Sequence, residues 1–417
     1  MSLKLYGRAV LARSGAAVTP SGDKWVVLYY GGWNQTTDAW DADKAPYWDG
    51  LTHLCHFSAT VNTDATLNYT ANVVGNATKR QNTVNAVHAA DKLVFLSIGG
   101  APGSANFLNA TNSTNRAGFV ALIVAEVAAR GYDGVDVDWE ATGETGAGDP
   151  NGADRPQYVA FLQALRAALP VGKLLMATVF GSWALAAADS HPHVDRVNLM
   201  TYIGAYNPAT DKATHVSPIN EPVPSPYLHG IDRCVTEVLA AGTPAAKLQF
   251  GFSRFAWHYV GATAINGTFT SVEDEQDYST VPASGAVWDA AGRATYWNTS
   301  SPSQRIISAE DPISVDDKAT YLRDRGLGGV IIWEHQKGVV GATDPLGVAV
   351  SVSFAEWISG GSVTPAGVLY ADGAGLLYGD GVQVQYVGGG GPVTTTGLLY
   401  SDGVPALYID GMAVEYA

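Results

Sequence analysis

The chain has 417 residues, 47% of them hydrophobic, which is ample for a large core. Its 39 acidic against 24 basic residues leave a net charge of -15, so no basic surface exists to bind nucleic acid or an anionic membrane. Only Cys55 and Cys234 are present, which excludes a disulfide scaffold or a CxxC site.

Met1–Val18 is interrupted by Lys4, Arg8 and Arg13 and lacks the apolar stretch of a signal peptide. No apolar run is long enough for a bilayer-spanning helix. From Trp25 onward, short apolar runs alternate with longer amphipathic stretches. Strands are expected at Trp25–Tyr30, Leu51–Phe57, Leu93–Ile98, Gly134–Trp139, Leu174–Val179, Val197–Tyr202, Leu248–Phe252 and Gly329–Trp333. Each is a short, mostly apolar run, as expected for parallel strands covered on both faces. Helical patterns include Arg116–Ala129, Gln157–Ala168, Ile231–Ala241 and Val315–Arg325, the last followed by Gly326 in the usual glycine position. Eight such units predict an α/β fold, a (β/α)8 TIM barrel. The rival is an open doubly wound sheet, but no GxGxxG follows the first strand.

The domain boundaries follow from composition: an N-terminal extension over 1–20, a barrel over 21–360 and repeats over 361–417. Strands seven and eight are far apart, and 255–307 between them is rich in Gly, Thr, Ser and aromatics. It reads as an insertion with its own strands; a long surface loop is the alternative. After Trp357 a repeat appears: Leu369–Gly373 recurs at Leu377–Gly381, and again at Leu399–Gly403 and Leu407–Gly411. Each Asp-Gly marks a tight turn, so 367–386 and 397–416 are expected to be two tandem β-hairpin repeats. Neither is large enough to bury a core alone, so each must pack on its twin, the barrel or another subunit. Self-association through these repeats is one expectation.

The most informative stretch is DGVDVDWE, residues 133–140. In a strand, Asp136, Asp138 and Glu140 share one face, about 6.6–7 Å apart, and Val135, Val137 and Trp139 share the other. At an effective dielectric near 20, charges that close repel by roughly 2.5 kcal/mol. Such a set holds a proton near neutrality, as a general acid requires. A solvated face fits poorly beside an apolar one. A single metal ion cannot reach all three acids, which span about 13 Å. No metal and no cofactor are expected.

This stretch resembles the DxxDxDxE signature of the family 18 glycoside hydrolases, the chitinase family. The resemblance extends to Ser97-Ile98-Gly99-Gly100 after strand three, Met200-Thr201-Tyr202 after strand six and the strand-eight segment ending Trp333-Glu334. It implies that Glu140 protonates the glycosidic oxygen and that Asp138 turns to stabilise the substrate's 2-acetamido group, sharing a proton with Asp136. It further implies that Tyr202 binds the acetamido oxygen and that Trp333 floors the reacting sugar's subsite. Asp133 and Ser97 are assigned to the motif's structure. Further substrate contacts are expected from Met200, Trp183, Trp257, Tyr30, Phe57, Gly99 and Gly100. The family is an exception to two-carboxylate hydrolysis: the substrate's own carbonyl supplies the nucleophile. Where the family often has Asp after the strand-six tyrosine, this chain has Ile203.

The implied activity is that of a secreted, retaining chitinase acting on β-1,4-linked N-acetylglucosamine polymers, with chitin as partner. Alternatives are endo-β-N-acetylglucosaminidase action on N-glycans, a non-catalytic chitin-binding protein, and a fibre component on the same barrel.

Overall fold

A computed structural model describes residues 23–359 apart from 43–44, 71–73, 142–146, 222–228 and 342, and in addition 377–379, 382–384, 400–401 and 404–405. The expected extension over 1–20 lies outside the described residues.

Eight parallel strands close into a barrel. They are β1 (Trp25–Gly31), β2 (His53–Val61), β3 (Leu93–Gly99), β4 (Gly134–Asp138), β5 (Leu174–Phe180), β6 (Arg196–Met200), β7 (Leu248–Ser253) and β8 (Gly329–Trp333). Each pairs with the next, and β1 pairs with both β2 and β8, which completes the ring. The open-sheet alternative is thereby excluded.

Alternation along each strand divides its side chains between two layers. From β1, Val26, Leu28 and Tyr30 join the layer under the helices, whereas Trp25, Val27 and Tyr29 fill the lumen. From β4, Val135, Val137 and the following Trp139 point outward. Cys55 and Cys234 are buried free thiols, as their apolar surroundings lead one to expect.

The outer layer is supplied by α1 (Ala77–Ala89), α2 (Phe107–Thr111), α3 (Arg116–Arg130), α4 (Arg155–Ala168), α5 (Ala184–Ser190), α6 (Ile231–Ala240), α7 (Pro312–Asp324) and α8 (Pro345–Ser359). Helix α3 stops at Gly131, whose φ of 81° is left-handed. Strand β6 ends two residues earlier than its apolar pattern suggests. Beyond Met200, the Thr201 hydroxyl takes over the pairing, donating to the Gly251 carbonyl at 2.6 Å and accepting from the Gly251 N–H at 3.0 Å.

Between β7 and β8 stands a five-stranded antiparallel sheet. Its order is Ser271–Gln276, Ala256–Val260, Arg305–Ser308, Ala294–Thr299, Ala286–Asp289. A buried cluster fastens it to the barrel. The Ser217 hydroxyl and the Lys318 ammonium both bind the Glu310 carboxylate, the latter at 2.8 Å. Of the C-terminal repeats, two short antiparallel pairs are described: Leu377–Gly379 with Val382–Val384, and Tyr400–Ser401 with Val404–Pro405. The rest of the two repeats lies outside the described residues.

Candidate active site

The site stands at the carboxyl end of β4, the end of a barrel where chemistry is ordinarily found. Register places Asp136 beside Ser97 of β3 and Asp138 beside Gly99, with Thr178 of β5 on the other side of Asp138. Asp136 is fully buried and well bonded. Its Oδ2 accepts from the Ser97 hydroxyl at 2.9 Å, the Tyr29 hydroxyl at 3.1 Å and, weakly, the Cys55 thiol at 3.6 Å. Its Oδ1 accepts from the Thr178 hydroxyl at 2.7 Å. Asn198 supports this ring by donating to Thr178 at 3.0 Å. Burial nevertheless raises the Asp136 pKa, against the opposing pull of these hydrogen bonds.

Asp138 differs. It is 3% exposed, and its Oδ1 is buried with no hydrogen-bond partner among the described residues. Burial, then the charges of Glu140 and Asp136, push its carboxyl well above the usual range. Glu140 is half-buried, and its carboxyl is pushed up to about 7 by burial, then by Glu275 and Asp136. The chain is held still here: the Glu140 N–H donates to the Ser104 hydroxyl oxygen at 2.8 Å, and the Gly100 N–H to the Asp138 carbonyl at 2.9 Å.

Gly99 and Gly100 are required by space and by backbone angle. Their φ values are +117° and +84°; an added Cβ would lie 2.0 Å from the Asp138 carbonyl oxygen and 2.3 Å from the Phe57 ring, respectively. Trp333 is half-buried at the end of β8. Its ring meets Phe57 edge-on at 4.6 Å and lies 5.7 Å from Tyr29 and 6.4 Å from Trp33, which is 38% exposed. Tyr202 is buried against Gly251, and burial, then Asp138 and Glu140, push its phenol well up, so it stays a hydrogen-bond donor. Met200 is half-buried against the lumen cluster.

Asp133 sits at the opposite end of β4, accepting from the Val94 N–H at 2.9 Å and paired with His88 at 2.8 Å. Trp183, half-buried, packs edge-on against Phe180 at 4.9 Å and lines the outer layer.

Two expected substrate contacts are corrected. Tyr30 is fully buried in the outer layer, between Trp40 and His335, because its parity on β1 points it away from the lumen. Its neighbour Tyr29 is the lumen residue, one that alternation could have indicated had the inward face been known. Trp257 is 1% exposed: it lies on the insertion's own strand Ala256–Val260, packs edge-on against Tyr206 at 5.0 Å and donates its indole N–H to the Ala205 carbonyl at 3.3 Å, so no sugar can stack on it. Thr178, Asn198 and Glu275 also belong to the site's surroundings and carried no recognisable signal, since each reaches it only through the barrel's closure or the insertion.

The comparison with known proteins agrees with this geometry. A sequence model of the glycosyl hydrolases family 18 matches residues 25–338. Endochitinase 1 of Metarhizium robertsii is 27% identical over 265 residues, 58% of this chain and 60% of that protein. Chitinase A1 of Niallia circulans is 28% identical over 286 residues, 58% of this chain and 40% of that protein. The chain therefore spans less than two thirds of either relative. In fold it is similar to the Group IV chitinase of Ostrinia furnacalis, with a TM-score of 0.67 at 20% identity, covering 80% of this chain and 100% of that one. With all eight strands of the barrel inside the match, the acidic strand among them, the chain belongs to glycosyl hydrolases family 18.

Proposed function

We propose that the protein is a chitinase, hydrolysing β-1,4-linked N-acetylglucosamine polymers with retention of configuration and with help from the substrate's own acetamido group. The observation that carries the reading is Asp138. A buried acceptor without a donor costs about 1–3 kcal/mol, and no described residue holds this oxygen in place. By turning toward the cleft, the carboxyl gains the acetamido N–H of a bound sugar. Asp136, already fully bonded, stays behind.

Glu140 supplies the proton. An acid with a pKa near 7 is protonated enough to donate, and its conjugate base is strong enough to take a proton back, the condition for efficient general acid–base catalysis. As the leaving oxygen takes that proton, the acetamido carbonyl attacks the anomeric carbon and forms an oxazolinium ion, which the Asp138 carboxylate stabilises. The Tyr202 phenol binds and orients the acetamido oxygen, and Trp333 offers an apolar floor for the sugar ring. Glu140, now a carboxylate, takes a proton from the water that opens the ion. Two inversions restore the β-configuration. Chitin is insoluble, so action outside the cell follows from the substrate.

The test uses partly acetylated chitosan. Every new reducing end is expected to carry an acetyl group, because a free amine has no carbonyl to donate. A substantial share of glucosamine at those ends, read by mass spectrometry, would sink the mechanism. Cellulose oligomers are expected to resist cleavage for the same reason.

A further inference from the structure

Trp33 and Trp333 stand where two paired strands end, and each is followed by a buried polar residue. Trp33 belongs to the short 3-10 turn Gly32–Asn34 that leaves β1, and Trp333 is the last residue of β8. Their rings are 6.4 Å apart with planes at 72°, a floor and an adjoining wall. Phe57 closes the corner, edge-on to Trp33 at 6.0 Å and to Trp333 at 4.6 Å.

An exposed indole keeps its rotamer freedom unless its surroundings restrict it. Three contacts restrict this one. Gly31 gives it room: a Cβ there would lie 2.1 Å from the Trp33 ring, so any larger residue pushes the indole off the β1 backbone. The Lys79 ammonium donates to the Gly32 carbonyl at 2.7 Å and fixes the start of the turn. The end of the turn is fixed from β8. Asn34 donates from Nδ2 to Glu334 Oε2 at 3.4 Å, and among the described residues Glu334 is the one partner of that side chain.

Glu334 is buried, like Asn34. Its Oε2 also accepts from the Gln336 N–H at 3.3 Å and its Oε1 from the Lys337 N–H at 3.2 Å, which caps the turn Gln336–Gly338 after β8. On the other side the Arg254 N–H donates to the Trp333 carbonyl at 2.6 Å. One carboxylate therefore joins the segment that carries the wall to the segment that carries the floor. A buried carboxylate is costly unless its oxygens are used, and no step of the hydrolysis uses this one.

We propose that Glu334 is a positioning residue of the substrate cleft: through Asn34 it holds Trp33 at a fixed angle to Trp333, so that a sugar chain extending from the reacting subsite meets a preset aromatic wall. The inference rests on the reading of Trp333 as the floor of that subsite. A wall already held in place costs a bound chain less ordering than a free indole would. The gain falls on substrates long enough to reach Trp33, while Glu140 and Asp138 act as before.

The experiment compares the wild type with Asn34→Leu, with Gly31→Ala and with the exchange that combines Asn34→Asp and Glu334→Gln. Asn34→Leu keeps the shape of the side chain and removes its donor. Gly31→Ala displaces the ring without touching Glu334. The exchange reverses the hydrogen bond, the new amide donating to the new carboxylate. Two readouts are taken on each folded protein. One is kcat and KM on short and long soluble N-acetylglucosamine oligomers. The other is the fluorine NMR line of Trp33 in fluorotryptophan-labelled protein, assigned by its loss in Trp33→Phe. In Asn34→Leu and Gly31→Ala the ratio of long- to short-oligomer KM is expected to rise about fivefold or more, through KM rather than kcat, and the Trp33 line to shift or broaden. The exchange restores both. An unmoved line or an unmoved KM ratio in Asn34→Leu overturns the inference, as does an exchange as disturbed as Asn34→Leu, which would leave Glu334 no part in the hold. A loss equal at every oligomer length marks a general structural role and overturns it too. If the wild type cleaves no oligomer, the proposed function falls, while the Trp33 line in the variants still decides whether Glu334 holds the wall.

Discussion

Asp136 and Asp138 stand two residues apart on one face of one strand, yet their surroundings are opposite. Asp136 is enclosed by donors from four other strands' side chains, Tyr29, Cys55, Ser97 and Thr178. Asp138, one step nearer the cleft, has a buried oxygen with no partner among the described residues, and Glu140 beyond it is half-buried with its pKa near 7. The deep carboxylate is satisfied and fixed, and the two above it are left costly. A barrel folds around the first and reserves its unspent interactions for a ligand at the second and third, the usual exchange of stability for function.

The strongest way to break that contrast is Glu140→Gln. Hydrolysis is expected to fall by roughly 10²–10⁴-fold or more, with binding of N-acetylglucosamine oligomers retained, because only a protonated carboxyl supplies the leaving-group proton. The same change is expected to stabilise the fold, in a pH-dependent way. The folded-state pKa is raised from 4.5 to about 7, so the folded protein holds a proton that the unfolded chain releases. Wild-type stability is therefore lost as pH rises from 4.5 through 7, and the Gln variant escapes that loss. Unfolding midpoints are expected to be similar at pH 4 and higher for the variant at pH 8, by about 1–3 kcal/mol after allowance for partial exposure. Equal midpoints at pH 8 would contradict the strain assigned to Glu140.

Trp333→Ala removes the apolar floor. Its kcat/KM is expected to drop about tenfold or more, through both a higher KM and a lower kcat, since an aromatic contact with a sugar ring is worth roughly 1–2 kcal/mol. Lost stability with unchanged KM would reassign the residue to the core.

Asp136→Asn and Asp138→Asn sharpen the comparison directly. The first turns an amide N–H₂ toward groups that already donate, and is expected to cost about 1–3 kcal/mol in denaturant unfolding at pH 8. The second removes a crowded buried carboxyl whose Oδ1 has no partner among the described residues, so its unfolding midpoint is expected to match or exceed the wild type at that pH while hydrolysis falls. Equal losses of stability would erase the distinction. The smallest effect is expected from ending the chain after Gly360. Residues 25–338, which carry the family match, are all kept, and turnover of soluble oligomers stays unchanged. Sedimentation and a pull-down on insoluble chitin of both forms then show whether the repeats pair subunits or hold the polymer.

Much of this was legible before any fold was known, for a local reason. Alternation makes Asp136, Asp138 and Glu140 share a face wherever their strand lies, and three like charges so close already imply a shared proton. Eight apolar runs, each followed by a helical stretch, admit few architectures besides the barrel. Alternation assigns residues to the same or opposite faces, however, and never says which face is the lumen when both are apolar. Tyr29 and Tyr30 are indistinguishable in that respect, and closure of β1 between β2 and β8 decided that Tyr29 meets Asp136. Trp257 reads as a groove aromatic until its strand in the insertion packs it against the segment after Tyr202. Glu275 lies far along the chain from Glu140 and nothing local marks it. Its backbone is held by Lys337 beyond the eighth strand, a contact that exists only once distant segments have packed together.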